Sequence, residues 1–262
     1  VRDTLNSYYY WYRYLPSTSS VNPASFDSPE AYLEAVRYRP IDNSYSYITS
    51  AAANDAFYSD SQVIKYGFTQ RVGASDIRVL EVWSGSPAED AGLQRGDRIL
   101  QVNGQSVATL VATGGLGAAF GPDTVGVSAS IVFEKPSGEQ RAARMTKRIV
   151  TIPTVSLTRV VEVDGRRVGY LFFRNFVRPS TEALNEAFAS LRQAGATELV
   201  LDLRYNGGGL VDVAVHLASL IGGAVTNGQV MMTYSHSDRA ATLNKVTRFD
   251  NPEQAITLQR LV

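Results

Sequence analysis

The chemistry this chain could carry is concentrated in one stretch, Asp202-Leu203-Arg204-Tyr205-Asn206-Gly207-Gly208-Gly209. Three consecutive glycines let the main chain approach a ligand without obstruction and adopt dihedrals that other residues avoid. The stretch joins a compact apolar strand, Glu198 to Leu203, to a helical pattern from Leu210 to Ile221 that Gly222-Gly223 should stop. Free backbone N–H groups therefore gather at the positive end of a helix dipole. A phosphate, a carboxylate or the transient oxyanion of acyl transfer would suit that place, and spacing does not choose among them. A tight turn that binds nothing fits the same residues.

Other chemistry is sparse. There is no cysteine, which excludes disulfides, thiol catalysis and thiolate metal sites, and the two histidines leave little for a zinc centre. His216 lies among Val213, Val215 and Leu217, and His236 lies in the polar run Ser235 to Asp238; both read as structural. Asp202 could join either in a serine triad, but no Gly-x-Ser-x-Gly elbow is present. Asp202 and Arg204 read first as supports of the loop, through hydrogen bonds or an ion pair. The other glycine-rich stretch, Ala108 to Gly126, lacks the endings of a phosphate-cradling loop. Lysines are few: Lys65, Lys135, Lys147 and Lys245.

The composition sets outer limits. In 262 residues, 44% are hydrophobic and 19% charged, and 25 basic residues balance 25 acidic ones. Such a chain folds, and it has no net field to concentrate nucleic acid or anionic lipid, which disfavours a nucleic-acid partner. No run approaches the roughly 20 apolar residues of a membrane-spanning helix. The chain opens at Val1 with no basic segment leading into an apolar core, so the expectation is a signal peptide absent or already removed.

Three regions must position these residues. Residues 1–61 read as a helical cap, in which Tyr8, Trp11, Tyr12 and Leu15 recur on one helix face and PEAYLEAVRY forms a short helix. Residues 62–153 are strand-rich. There Ser86, Pro87 and Glu89 spell a capping box and Gly92 a helix stop; Arg98 to Val102 is a strand, and Asn103-Gly104 a hairpin turn. Residues 154–262 alternate strand and helix. Val168, Tyr170 and Phe172 share a strand face, Ser180 caps a helix carrying Leu184, Phe188 and Leu191, and Gly195 ends it.

The succession SGSPAEDAGLQRGDRILQVNGQSV, Ser84 to Val107, resembles the central part of PDZ domains of bacterial proteases. By that resemblance an extended peptide would add to an open sheet edge, and the loop Tyr66-Gly67-Phe68-Thr69 would capture its terminal carboxylate. The segment LVLDLRYNGGGLVDVAVHLASLIGG, preceded by VGYLFFRNF and the PDZ-like region, resembles the core of the carboxyl-terminal processing proteases, the S41 serine peptidases of tail-specific type. Gly207 stands where that family usually has proline. The resemblance implies a multi-domain α+β fold: helical N-terminal cap, PDZ domain and a β/α protease core that is incomplete at its C-terminus.

What the resemblance implies about activity follows. Gly208, or Gly207, would supply an oxyanion-hole N–H, and Asp202, Arg204 and Asn206 would support the site. A serine nucleophile and a lysine base would act by acyl transfer. No serine or lysine here occupies the family's positions; both would follow Val262, so the fragment alone would be inactive. Substrates would be polypeptides with free C-termini in the periplasm or cell envelope, with no metal or organic cofactor. The PDZ domain would gate activity, with hinges near Tyr66 and Pro153. A non-catalytic peptide-binding module and an anion binder at Gly207 to Gly209 remain as alternatives.

Overall fold

The computed structural model describes all 262 residues. The N-terminal module holds α1 (Arg2–Tyr8), α2 (Pro29–Val36) and α3 (Ala51–Asp60). Leu5, Tyr9, Tyr32, Leu33 and Val36 make its small core. The single aromatic helix face is not formed. Helical geometry stops at Tyr9, Tyr12–Tyr14 form a separate 3-10 turn, and it is Tyr9 that is buried while Tyr8 is exposed. Consecutive aromatic rings lose rotamer freedom in a helix, and tertiary burial of Tyr9 outweighs the periodic pattern. Its hydroxyl donates to the buried Asp42 at 2.9 Å. Asp42 in turn accepts from the Tyr45 and Ser46 N–H groups.

The chain enters the next module through β1 (Gln62–Lys65). The module itself contains β2 (Phe68–Val72), β3 (Ile77–Val82), α4 (Pro87–Asp90), β4 (Arg98–Val102), β5 (Gln105–Ser106), α5 (Val107–Ala112), α6 (Leu116–Phe120), β6 (Ser128–Glu134) and β7 (Gln140–Thr146). It leaves through β8 (Arg148–Thr151), which pairs antiparallel with β1 as a two-stranded neck. The sheet runs β2-β3-β4-β6-β7, so β2 is an edge strand, and β5 adds to β4. Ile77, Ile99, Ile131, Phe133 and Met145 fill its core, each fully buried large side chain stabilising by about 1.5–3 kcal/mol. The local signals explain the loops: Ser86 Oγ accepts from Glu89 N, Glu89 reaches back to Gly85 N, and Asn103 and Gly104 both take positive φ.

The third module has β9 (Val155–Val163), β10 (Arg166–Phe173), α7 (Ser180–Gln193), β11 (Glu198–Asp202), α8 (Val211–Thr226), β12 (Val230–Tyr234), β13 (Lys245–Arg248) and β14 (Arg260–Leu261). Its sheet order is β14-β11-β10-β9, with β10, β11 and β14 parallel and β9 antiparallel. The crossover helix α7 and then α8 bury Leu184, Phe188, Leu191, Val213, Leu217 and Leu220 against Leu171, Phe173 and Leu199.

One helix end differs from expectation. Ser180 lies inside the first turn of α7, after Pro179; its Oγ donates to Asn175 O and accepts from Val177 N, so it braces the loop before the helix. At α8 the expected glycine stop holds: helical dihedrals break at Gly223 (φ +51°), and a further short turn continues to Thr226. There Gly223 lies against Ala255 and Ile256, whose packing holds the extra turn in place.

Candidate functional site

The Tyr66–Thr69 loop enters the edge strand β2 and is fixed from behind. Tyr66 O accepts from Ala88 N and Gly67 O from Trp83 N, at 2.8 and 2.9 Å. Gly67 takes φ +88°, and a Cβ there would lie 2.1 Å from Ser86 Cβ, so only glycine fits. The Gly67 N–H donates to no protein acceptor. Tyr66, Gly67, Phe68 and Thr69 line one wall of a groove of about 550 Å³, with Gly117 and Phe120 opposite and Lys65, Asp123 and Lys147 at one end. The Tyr66 hydroxyl donates to Phe120 O, and burial, then the Asp123 charge, raises its pKa. Lys147 Nζ, buried, donates to Gly121 O, Pro122 O and Asp123 Oδ1. Burial works to raise the Asp123 pKa, but hydrogen bonds from Lys65 and Lys147 outweigh it and keep the carboxyl below its usual range.

The glycine bend is built at the end of β11. Asp202 is buried and accepts from Arg204 N at 3.0 Å, from the Arg204 guanidinium at 2.6 Å and from the Tyr170 hydroxyl. Hydrogen bonding from Arg204, reinforced by Tyr170, holds its carboxyl well below the carboxylate range, and the same contacts raise the Arg204 and Tyr170 pKa values. Asn206 then pins the turn: its Nδ2 donates to Phe173 O at 3.3 Å, and its Oδ1 accepts the Gly208 N–H at 2.8 Å. Phe176 N donates to Gly208 O and Leu210 N to Phe176 O, a parallel bridge that seats the bend on the segment after β10. Gly209 (φ +140°) is forced by this seat, since a Cβ would stand 2.1 Å from Phe176 O.

The donor expected first, the Gly208 N–H, is thus engaged with Asn206, because an asparagine two residues ahead closes a local turn on it. The N–H groups of Gly207 and Gly209 donate to no protein acceptor, and Gly207 is exposed with no heavy atom within 4 Å of an added Cβ. Arg204 and Tyr205, from the same loop, face a cavity of about 650 Å³ between the second and third modules. Its other walls include Glu81, Leu93 and Arg95 from the one and Ser156, Tyr170 and Phe172 from the other. His216 Nε2 pairs with Asn185 Oδ1 at 2.7 Å and burial lowers its pKa, while His236 N donates to Asn244. Neither histidine touches Asp202. Sequence reasoning passed over Phe120, Phe176 and Arg174. Phe120 carried a readable signal as the last residue of a short apolar helix before Gly121, whereas Phe176 and Arg174 matter through contacts distant in sequence.

An edge-strand groove joined by a paired neck to a β/α module with a glycine bend defines a PDZ-bearing chain with a peptidase-type core. Three family descriptions match in that order: Peptidase S41 N-terminal domain at residues 1–47, PDZ domain at 78–118 and Peptidase family S41 at 167–258. The chain belongs to the S41 peptidase family, and its curated relatives are named carboxyl-terminal processing proteases. The Carboxyl-terminal-processing protease of Synechocystis sp. is 28% identical over 171 residues, covering 62% of this chain and 40% of the relative. The chloroplastic C-terminal processing peptidase of Tetradesmus obliquus is 30% identical over 155 residues, covering 56% and 33%. The chain thus spans well under half the length of these relatives. A solved Bacteroides fragilis structure described as an S41 protease superposes with TM-score 0.73 at 26% identity, covering 99% of this chain and 69% of that one. The photosystem II D1 C-terminal processing protease shares the fold at TM-score 0.51 and 21% identity, covering 99% and 72%.

Proposed function

We propose that this chain is the recognition and oxyanion-binding portion of a serine endopeptidase that cleaves polypeptides bearing exposed C-termini. Tyr66, Gly67, Phe68 and Thr69 receive the terminal carboxylate and the first residues of the substrate as a strand added to β2. Backbone N–H groups of the glycine bend, Gly207 foremost and Gly208 once released from Asn206, stabilise the tetrahedral oxyanion; one such donor contributes about 3 kcal/mol to the transition state. Asp202, Arg204 and Asn206 hold the bend in shape. The attacking serine and the lysine that takes its proton follow Val262, so the 262 residues alone bind and do not cut. The site of action is the periplasm or cell envelope.

The observation that carries this reading is the presence, in one S41 chain, of a groove ending on the unpartnered Gly67 N–H and a bend offering the unpartnered Gly207 N–H. The test is cleavage of casein, and of a tagged peptide with a free or amidated C-terminus, by a chain extended through the family's serine and lysine motifs. Cleavage should be lost on replacing that serine by alanine and should favour the free carboxylate. A serine-independent or absent cleavage sinks the proposal. The β1·β8 neck ends beside Tyr66 and Pro153, the two expected hinges. Cross-linking the neck's flanks by engineered disulfides should therefore alter cleavage in the extended chain, and unchanged rates count against hinged gating. The second reading, a peptide-binding module without chemistry, is favoured by one observation, the Gly208 N–H held by Asn206.

A further inference from the structure

The only charged side chains lining the Tyr66–Thr69 groove, Lys65, Asp123 and Lys147, meet at one end of it. Lys65 Nζ donates to Asp123 Oδ2, and Lys147 Nζ donates to Asp123 Oδ1 at 2.9 Å. The two lysines differ in what they can still do. Lys147 is buried, and its three N–H donors are all engaged, with Gly121 O, Pro122 O and Asp123. Lys65 is half exposed and donates to Asp123 alone, so its ammonium keeps donors that no protein acceptor takes.

Lys65 is two residues from Gly67, whose N–H has no protein acceptor, so their Cα atoms lie within about 7 Å of each other. Charges act over about 8–10 Å in ordinary salt, so a carboxylate received on the Gly67 N–H arrives within reach of the Lys65 charge. It finds Lys65 already holding a carboxylate. Lys65 and Asp123 also line a neighbouring cleft of about 520 Å³ along Ala53, Ala56, Val63 and Ile149, so their pair stands where the groove ends.

This pair is built to exchange. An exposed ion pair is weak, because water screens it and two flexible side chains must be held in one geometry. Asp123 loses little by yielding Lys65, since the buried Lys147 continues to neutralise it. Because Lys147 also ties the Gly121 and Pro122 carbonyls, the Asp123 carboxylate stays at the groove end after Lys65 has left it. We propose that Asp123 is an internal competitor for Lys65, a carboxylate of the chain itself standing where the substrate's terminal carboxylate makes its ion pair, and that it thereby sets how tightly the groove holds a free C-terminus. The proposal rests on the peptide-recognition reading above and needs nothing of the glycine bend.

The test uses the 262-residue chain and a fluorescein-labelled decapeptide ending in Ala-Val-Leu, with a free carboxylate or as its C-terminal amide, and reads Kd by anisotropy. Asp123→Asn keeps the shape and an oxygen for Lys147 but removes the competing charge. It should tighten the carboxylate peptide by about fivefold, the upper end for an exposed ion pair, and leave the amide within about twofold. Lys65→Met keeps an apolar stem and does not touch the Asp123–Lys147 contact. It should weaken the carboxylate peptide by about fivefold and spare the amide. In the double variant the gain from Asp123→Asn should vanish, since no Lys65 remains to be released. A gain of the same size without Lys65 means that Asp123 acts by repulsion alone and overturns the competition. Unchanged carboxylate affinity in either single variant overturns it too, as does loss of both peptides in Asp123→Asn, which makes the ion pair a structural tie. A parent that does not prefer the carboxylate peptide to its amide overturns the recognition reading as well, whereas a parent that prefers it while Asp123→Asn binds like the parent overturns the competition alone.

Discussion

The Tyr66–Thr69 loop and the Arg204–Gly209 bend solve the same problem by different means. Each offers main-chain N–H groups beside a strand end, and each needs a glycine with positive φ. The first is backed by its own module behind the groove: Ser86 beneath Gly67, Trp83 on its carbonyl, Ala88 on Tyr66. The second is seated on Phe173 and Phe176, and a Cβ added at Gly207 would meet no heavy atom within 4 Å. On the reading proposed above, the first would hold a chain end against a fixed wall, and the second would turn an open face to a carbonyl.

The contrast can be broken most sharply at the glycines. Gly209→Ala should cost about 3 kcal/mol or more, because its Cβ would overlap the Phe176 carbonyl at a strained φ, and a urea midpoint close to the parent's would refute the seat. Gly67→Ala should cost a similar amount, of order 2–3 kcal/mol, and abolish decapeptide binding measured by anisotropy. In the groove, Phe120→Ala removes one wall and should weaken peptide binding by about tenfold, whereas Tyr205→Ala, at the inter-module cavity, should leave it unchanged. A reversed order would mean that peptides dock between the modules instead.

Acid sharpens the comparison further. The Asp202 carboxyl is held below its unfolded pKa by Arg204 and Tyr170, so its contribution is fully present above about pH 4 and is lost as pH falls towards the depressed folded value. The gap in urea midpoint between the parent and Asp202→Asn should therefore narrow from pH 5 to pH 3. A gap independent of pH would assign Asp202 no such role. The smallest effect belongs to Gly207→Ala, below about 0.5 kcal/mol in stability, since the added methyl meets open space.

Much of the second module was readable because its signals are local. Asn103-Gly104 and Ser86-Pro87 each dictate a turn or a cap without help from distant residues, and the strand Arg98–Val102 has the bounds the sequence suggests. The N-terminal aromatics were misread because burial of Tyr9, through its bond to Asp42 33 residues away, overrides a helical period. The α3 helix went unnoticed although Ser50 followed by three alanines is a helix start. At the bend, the glycines and Asp202 were visible as a motif. That Asn206 would take the Gly208 N–H depends on a side-chain rotamer, and the hydrogen bond from Arg174 to Thr69 joins residues 105 apart, which no window along the chain contains.

The paired neck has a consequence for how such a chain can be rearranged. Gln62 and Thr151 face each other in register, as do Lys65 and Arg148, so everything between them departs and returns at one point. A short hairpin could splice the stumps without stretching the remainder, and a foreign recognition unit with adjacent termini could be grafted in its place. The second module and the remainder of the chain are, in that sense, separately exchangeable cassettes.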